Sequence, residues 1–275
     1  MLKKRGFIGV VALMVGALAL LPAVQARAER ITITGSTTVL PIAQKAAEDY
    51  MKKHSDVEIS VAGTGSGDGI KALIDGMTDI ADASRDMKDK EIKLAESKGV
   101  NPVRHVVALD CIVPIVHPSN PISNLDLEAL KKIYTGDIKN WKQVGGPDKP
   151  IVVISRDSSS GTFEVWNERV LDKERVRPDA QLQASNGAVA QAVAGNKYAI
   201  GYVGIGYLNP KLKGLTVNGI EADAKTAMSG KYPVSRQLYM FTNGEPKGAV
   251  KAFIDYVKSP EGQQIVKEEG FVPIT

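Results

Sequence analysis

Three times in this chain a short strand-like run ends in a turn of glycines and hydroxyls, and a helix-forming stretch begins at once. The runs are Ile31–Thr34, Val57–Ala62 and Ile151–Ile154. The turns are Gly35-Ser36-Thr37-Thr38, Gly63-Thr64-Gly65-Ser66-Gly67-Asp68-Gly69 and Arg156-Asp157-Ser158-Ser159-Ser160-Gly161-Thr162. Helices are expected to follow over Pro41–Lys53, Ile70–Ile74 and Phe163–Leu171. Further strand-like runs are Thr78–Ala83, Val106–Ala108, Cys111–Val116, Ala199–Val203 and Leu238–Phe241. They are interleaved with helical stretches at Lys88–Ser97, Leu127–Tyr134, Ala249–Val257 and Glu261–Glu268. Strands alternating with helices predict an α/β fold, with helices layered around largely parallel sheets. No repeat of fixed period is present.

The turns share one chemistry. A helix N-terminus carries unpaired N–H groups and a partial positive charge, so it favours an anion. Glycine lets a backbone approach closely, and serine and threonine add donors without bulk. One such turn alone reads as ordinary N-capping. Three in one chain, one of them opened by Arg156, point to a shared oxyanion site.

Charge must be apportioned before a partner class is considered. Residues 1–5 carry Lys3, Lys4 and Arg5, residues 6–21 are apolar, and Pro22 ends the run. Ala26-Arg27-Ala28 offers a cut after Ala28, and Val24-Gln25-Ala26 a second after Ala26. This is the anatomy of a secretory signal peptide over residues 1–28. The whole chain holds 35 Lys+Arg against 31 Asp+Glu. The leader holds Lys3, Lys4, Arg5 and Arg27 and no acid, so the exported remainder carries 31 of each. A nucleic-acid partner is excluded on this ground, since it needs a basic surface.

Other classes fail on motif. One cysteine, Cys111, excludes a disulfide framework and a multi-cysteine metal site, and it is expected to be a buried apolar residue. His54, His105 and His117 lack ligand spacing. The Gly63–Gly69 stretch misses the G-x-G-x-x-G spacing, no phosphate-loop lysine motif exists, and neither Ser66 nor Ser160 sits in G-x-S-x-G. No catalytic residue, cofactor or metal is expected. Trp141 and Trp166 are expected to pack rather than to bind.

The segments Gly35–Ile42, Gly63–Ile70, Asp79–Arg85, Ile133–Trp141, Arg156–Thr162 and Ala199–Gly204 together resemble the periplasmic phosphate-binding proteins of high-affinity phosphate ABC importers. The resemblance implies a fold of two α/β lobes joined by a two-strand hinge, with inorganic phosphate between them. Lobe I would comprise 29–112 plus 237–275 and lobe II 113–236, with Cys111–Val116 and Val234–Met240 crossing. It implies a monomeric periplasmic carrier that delivers phosphate to a membrane permease and ATPase. Sulfate binding on the same fold, or a secreted phosphoesterase, are the alternatives. Arg156, Ser160, Gly161 and Thr162 match the family's arginine and serine–glycine–threonine ligands, and Ser66 matches its serine in the second glycine turn. In the first turn Val39 occupies the family's threonine position, so Ser36, Thr37 or Thr38 would supply the hydroxyl. The family's better-known branch places an aspartate after the third strand to accept the phosphate proton, and Ser84 or Arg85 stands there instead. Arg85 would add a second cation. Asp68, Asp82 and Asp157 are the nearby carboxylates. Asp68 is preferred as acceptor, because a helix N-terminus would keep it ionised.

Overall fold

In the computed structural model, residues 28–274 are described; the leader expected over 1–28 lies outside them except for Ala28. The first half runs β1 (Glu29–Gly35), α1 (Leu40–Lys53), β2 (Val57–Gly63), α2 (Ser66–Ile74), β3 (Ile80–Ala83), α3 (Asp89–Ser97) and β4 (Pro102–Val116). Next come β5 (Asn124–Leu125), α4 (Leu127–Thr135), β6 (Val152–Arg156), α5 (Gly161–Arg169), β7 (Gln181–Gln183), α6 (Asn186–Ala194) and β8 (Ala199–Gly204). The chain ends with β9 (Lys213–Gly214), β10 (Thr216–Val217), α7 (Ala224–Met228), β11 (Ser235–Asn243), α8 (Gly248–Lys258) and α9 (Pro260–Glu268).

The main sheet has the order β2-β1-β3-β11-β4-β8-β6-β7, with β9 also on β4. Its flanks are parallel: β1 pairs β2 and β3, and β6 pairs β7 and β8. Its centre is antiparallel, where β11 pairs β3 and β4, and β4 pairs β8. The expectation of largely parallel sheets therefore holds only for the flanks. The reason is β4, which is one 15-residue strand and not the two runs Val106–Ala108 and Cys111–Val116. Its first part, Pro102–Cys111, lies against β11, and its last, Ile112–Val116, lies against β8. β11 returns beside it in the opposite direction.

Apolar side chains collect in two bodies on either side of this crossing. One core runs from Cys111 to Val234, joined by Val272, and includes the fully buried Trp141, Trp166 and Cys111. Trp166 stacks on Tyr202 at 4.3 Å, as the packing expectation required. The other body has two cores. α1, α8 and α9 pack one of them around Ile31, Ile33 and Phe253, and α2 and α3 pack the other around Ile70, Ala95 and Phe241. The α1 contacts follow helical periodicity, with Ile42, Ala43, Ala46, Ala47 and Tyr50 buried. Among the described residues, only the segments near Leu109–Ile112 and Val234–Gln237 continue the backbone between the bodies. Leu109 there also exchanges both backbone hydrogen bonds with Val272.

Candidate functional site

The first turn forms where β1 passes β3. Gly35 has φ +144°, and a Cβ there would lie 2.1 Å from the Asp82 carbonyl oxygen, so only glycine fits. The Ser36 N–H donates to that carbonyl at 2.8 Å. Ser36 Oγ accepts the Thr38 and Val39 N–H groups at 3.1 and 3.4 Å, which folds the turn ahead of α1, whose own N-cap Val39 has no side-chain cap. The Thr37 and Thr38 hydroxyls are engaged across the space between the bodies.

The second and third turns meet directly. The Gly67 N–H donates to the Ser159 carbonyl at 2.9 Å. Ser66 Oγ accepts the Ser84 N–H at 3.0 Å and lies 3.2 Å from Ser84 Oγ. Ser160 Oγ caps α5 by accepting the Phe163 N–H at 3.1 Å. Gly161 is the point of closest approach, since a Cβ there would lie 2.4 Å from Ser66 Oγ and 2.8 Å from Ser84 Oγ. Thr162 Oγ1 reaches Thr38 Oγ1 at 2.9 Å. Ser36, Thr37, Thr38, Ser66, Ser84, Ser160 and Thr162 are each only 1–3% exposed, so these polar groups meet away from water.

Arg156 closes β6 at 2% exposure. Its Nε donates to the Gln183 carbonyl at 2.9 Å and its Nη2 to the Ala184 carbonyl at 3.0 Å. Its Nη1 is buried and has no hydrogen-bond partner among the described residues. Burial pushes its pKa down, and Asp157, 4.0 Å from Nε, opposes that. An unpaired buried guanidinium nitrogen is costly unless a ligand satisfies it.

Three expected residues take other roles. Helix α2 begins at Ser66 rather than Ile70, so Asp68 falls within its first turn, exposed to solvent and outside the buried cluster. Arg85 is no free cation. Glu91 holds its Nη1 and Nη2 at 2.7 and 2.8 Å, and Glu164 of the other body lies 2.6 Å from its Nε. Asp157 Oδ1 accepts the Ser159 N–H and O–H at 2.8 and 2.6 Å, which folds the third turn. The carboxylate left is Asp82 on β3, 2% exposed, with Oδ1 unpaired among the described residues. Burial pushes its pKa well above the usual carboxylate range.

Sequence reasoning missed Asn186, Asp110 and Arg236. Asn186, fully buried, opens α6, a fourth helix N-terminus at the same place. Its Oδ1 accepts the Gly204 N–H at 3.1 Å, which orients the amide. Its Nδ2 then donates to Thr37 Oγ1 at 2.9 Å and Thr38 Oγ1 at 3.0 Å. The signal was Ser185-Asn186-Gly187, another strand–turn–helix junction, hidden because β7 has one apolar residue, Leu182. Arg236 and Asp110 face each other on β11 and β4, and no local motif marks them.

Four helix N-termini, buried hydroxyls and two buried guanidinium groups thus converge from both bodies. Donors dominate, as a desolvated tetrahedral oxyanion requires.

A family model for the PBP superfamily domain matches residues 22–261. The chain is 34% identical over 247 residues to the phosphate-binding protein PstS of Bacillus subtilis, covering 89% of this chain and 81% of that protein. It is 36% identical over 256 residues to PstS of Borreliella burgdorferi, covering 89% and 90%. A Clostridium perfringens crystal structure with bound phosphate is similar at TM-score 0.84 and 35% identity, over 90% of this chain and 100% of that one. By sequence and by fold, then, this chain belongs to the PBP superfamily and, within it, to the family of PstS phosphate-binding proteins.

Proposed function

We propose that this chain binds inorganic phosphate between its two bodies and delivers it to the permease and ATPase of a phosphate ABC importer. The observation that carries the reading is Arg156. It is buried, two of its nitrogens are held by carbonyls, and Nη1 has no partner among the described residues and lies beside a turn whose hydroxyls and helix N-terminus are also donors. Ser36, Thr37, Ser66, Ser84, Ser160, Gly161 and Thr162 complete the ligand set, and Thr38 holds the Thr162 hydroxyl behind them. Residues 29–112 plus 237–274 form one lobe and 113–236 the other, with Cys111, Ile112 and Val272 packed into the second lobe's core. They rotate about the backbone near Leu109–Ile112 and Val234–Gln237.

Energetics favour a tight complex. Charge-assisted hydrogen bonds contribute roughly 1.5–3 kcal/mol each. Several of them, net of desolvation and ordering, reach the ~8 kcal/mol of a micromolar complex. The work is binding and gating, with no catalytic step. Export by the 1–28 leader places the carrier outside the cytoplasmic membrane. Calorimetry of the chain from Glu29, titrated with phosphate, arsenate and sulfate, tests the reading. Phosphate should bind at micromolar concentration or tighter and displace sulfate; an absence of phosphate heat, with sulfate binding, would refute it.

A further inference from the structure

The anion site has a guanidinium that the reading above does not use. Arg236 lies where the two crossing strands pair, directly opposite Asp110. Its side chain is 4% exposed and that of Asp110 is 0%. Asp110 Oδ2 accepts from Arg236 Nε at 2.8 Å and forms an ion pair with its guanidinium, 2.7 Å from Nη2, and Oδ1 accepts the Ile205 N–H at 2.9 Å. Gly204 makes room, since a Cβ there would lie 3.1 Å from both Asp110 oxygens and 2.8 Å from Thr38 Cγ2. The guanidinium is thereby fixed in direction. Nη1 donates to the Ser84 carbonyl at 3.1 Å, and Nη2 reaches Thr38 Oγ1 at 3.2 Å and Thr162 Oγ1 at 3.1 Å. Thr38 belongs to one body, Thr162 to the other, and Arg236 to the hinge between them.

The direction of the hydroxyl protons follows from these donors. Thr38 Oγ1 already accepts from Asn186 Nδ2 and Arg236 Nη2, so its own proton goes to Thr162 Oγ1. Thr162 Oγ1 then accepts from Thr38 and Arg236, and its proton is left to donate. Remove Arg236, and Thr162 is free to turn its lone pairs toward an anion.

We propose that Arg236 is a positioning residue that couples the hinge to the anion site. Held by Asp110, it joins Thr38 and Thr162 into one node when the lobes meet, and it keeps the Thr162 hydroxyl a donor to the bound anion. The inference rests on the phosphate reading.

Arg236 and Asp110 are best changed together, because removing one partner leaves the other buried and unpaired. The test is a double-mutant cycle on phosphate affinity between Thr162→Val and the charge-neutral pair Asp110→Asn/Arg236→Gln. In the wild-type background Thr162→Val is expected to weaken phosphate about tenfold, the neutral pair at least about tenfold, and Thr162→Val added to the pair less than about threefold further. A merely structural Arg236 would lower the melting temperature without this coupling. The inference is overturned if the folded pair binds phosphate within threefold of wild type, or if Thr162→Val costs the same factor in both backgrounds. Should the pair not fold, Arg236→Lys takes its place in the same cycle with the same criteria, since a point charge cannot serve Ser84, Thr38 and Thr162 at once. If wild type binds no phosphate, the functional reading fails first and this inference with it. Wild-type binding with an absent coupling defeats the inference alone.

Discussion

Gly161→Ala separates stability from closure. Gly161 is the first residue of α5, and its backbone is not in the left-handed region, so alanine fits the helix. On propensity alone the change is neutral to stabilising, by up to about 1 kcal/mol. The added methyl carbon, however, would sit 2.4 Å from Ser66 Oγ, 2.8 Å from Ser84 Oγ and 2.9 Å from Ser66 Cβ. Turning the Ser66 hydroxyl away does not help, because Ser66 Cβ remains. The two turns must separate by several tenths of an ångström, and overpacking of this kind costs about 1–3 kcal/mol. That cost falls only on the closed arrangement, because Gly161 and Ser66 lie on opposite bodies. Phosphate affinity should therefore fall by about 5- to 150-fold, at 1.4 kcal/mol per tenfold, while the melting temperature without phosphate stays equal or rises. Calorimetry and a thermal melt on the same preparation read both. A variant that binds within twofold of wild type would show that the glycine turn does not close on Ser66 and Ser84.

Other substitutions probe the remaining parts. Arg156→Ala should abolish tight phosphate binding with the fold intact, and Arg156→Lys should restore only part of it, since lysine lacks the planar fork; equilibrium dialysis reads both. Asp82→Asn should change the phosphate-to-sulfate affinity ratio, whereas Asp68→Asn on the exposed face of α2 should leave it unmoved; the reverse result would return Asp68 to the site. Asp82 also makes a pH prediction. Its folded pKa is raised by burial, so the folded state holds a proton that the unfolded state gives up above about pH 4. Stability from this group is therefore lost as pH rises from there, and Asp82→Asn should raise the melting temperature at pH 7 more than at pH 4. Glu164→Gln removes the partner that Arg85 and Lys88 reach across the cleft at 2.6 and 2.7 Å, and stopped-flow release of phosphate should quicken roughly tenfold if this pair holds the lobes closed.

What the sequence disclosed was local. Each strand–turn–helix junction announces itself within about ten residues, and so the three glycine–hydroxyl turns and Arg156 are legible. The Ser36 turn before α1 and the capping of α5 by Ser160 follow from the same local rules. Features that depend on distant partners are not legible. Asp110 interrupts the apolar run of β4, which makes one strand read as two; it is buried there because Arg236, 126 residues away, neutralises it. Asn186 is obscured by the polar β7 before it. Asp68 misleads because glycines on both sides read as turn, whereas the helix already starts at Ser66 and its periodicity turns Asp68 to solvent. Arg85 offers the right charge at the right place in the chain, and only the fold shows Glu91 and Glu164 closing on it.

The most direct measurement is a crystal structure of the chain from Glu29 grown with phosphate. The expected result is one phosphate between the lobes, hydrogen-bonded to Arg156 Nη1, to the Ser66 and Thr162 hydroxyls and to N–H groups at the start of α5, with Arg236 still held by Asp110. A phosphate bound elsewhere, or an interlobe site in which Arg156 Nη1 makes no contact with the anion, would contradict the proposal.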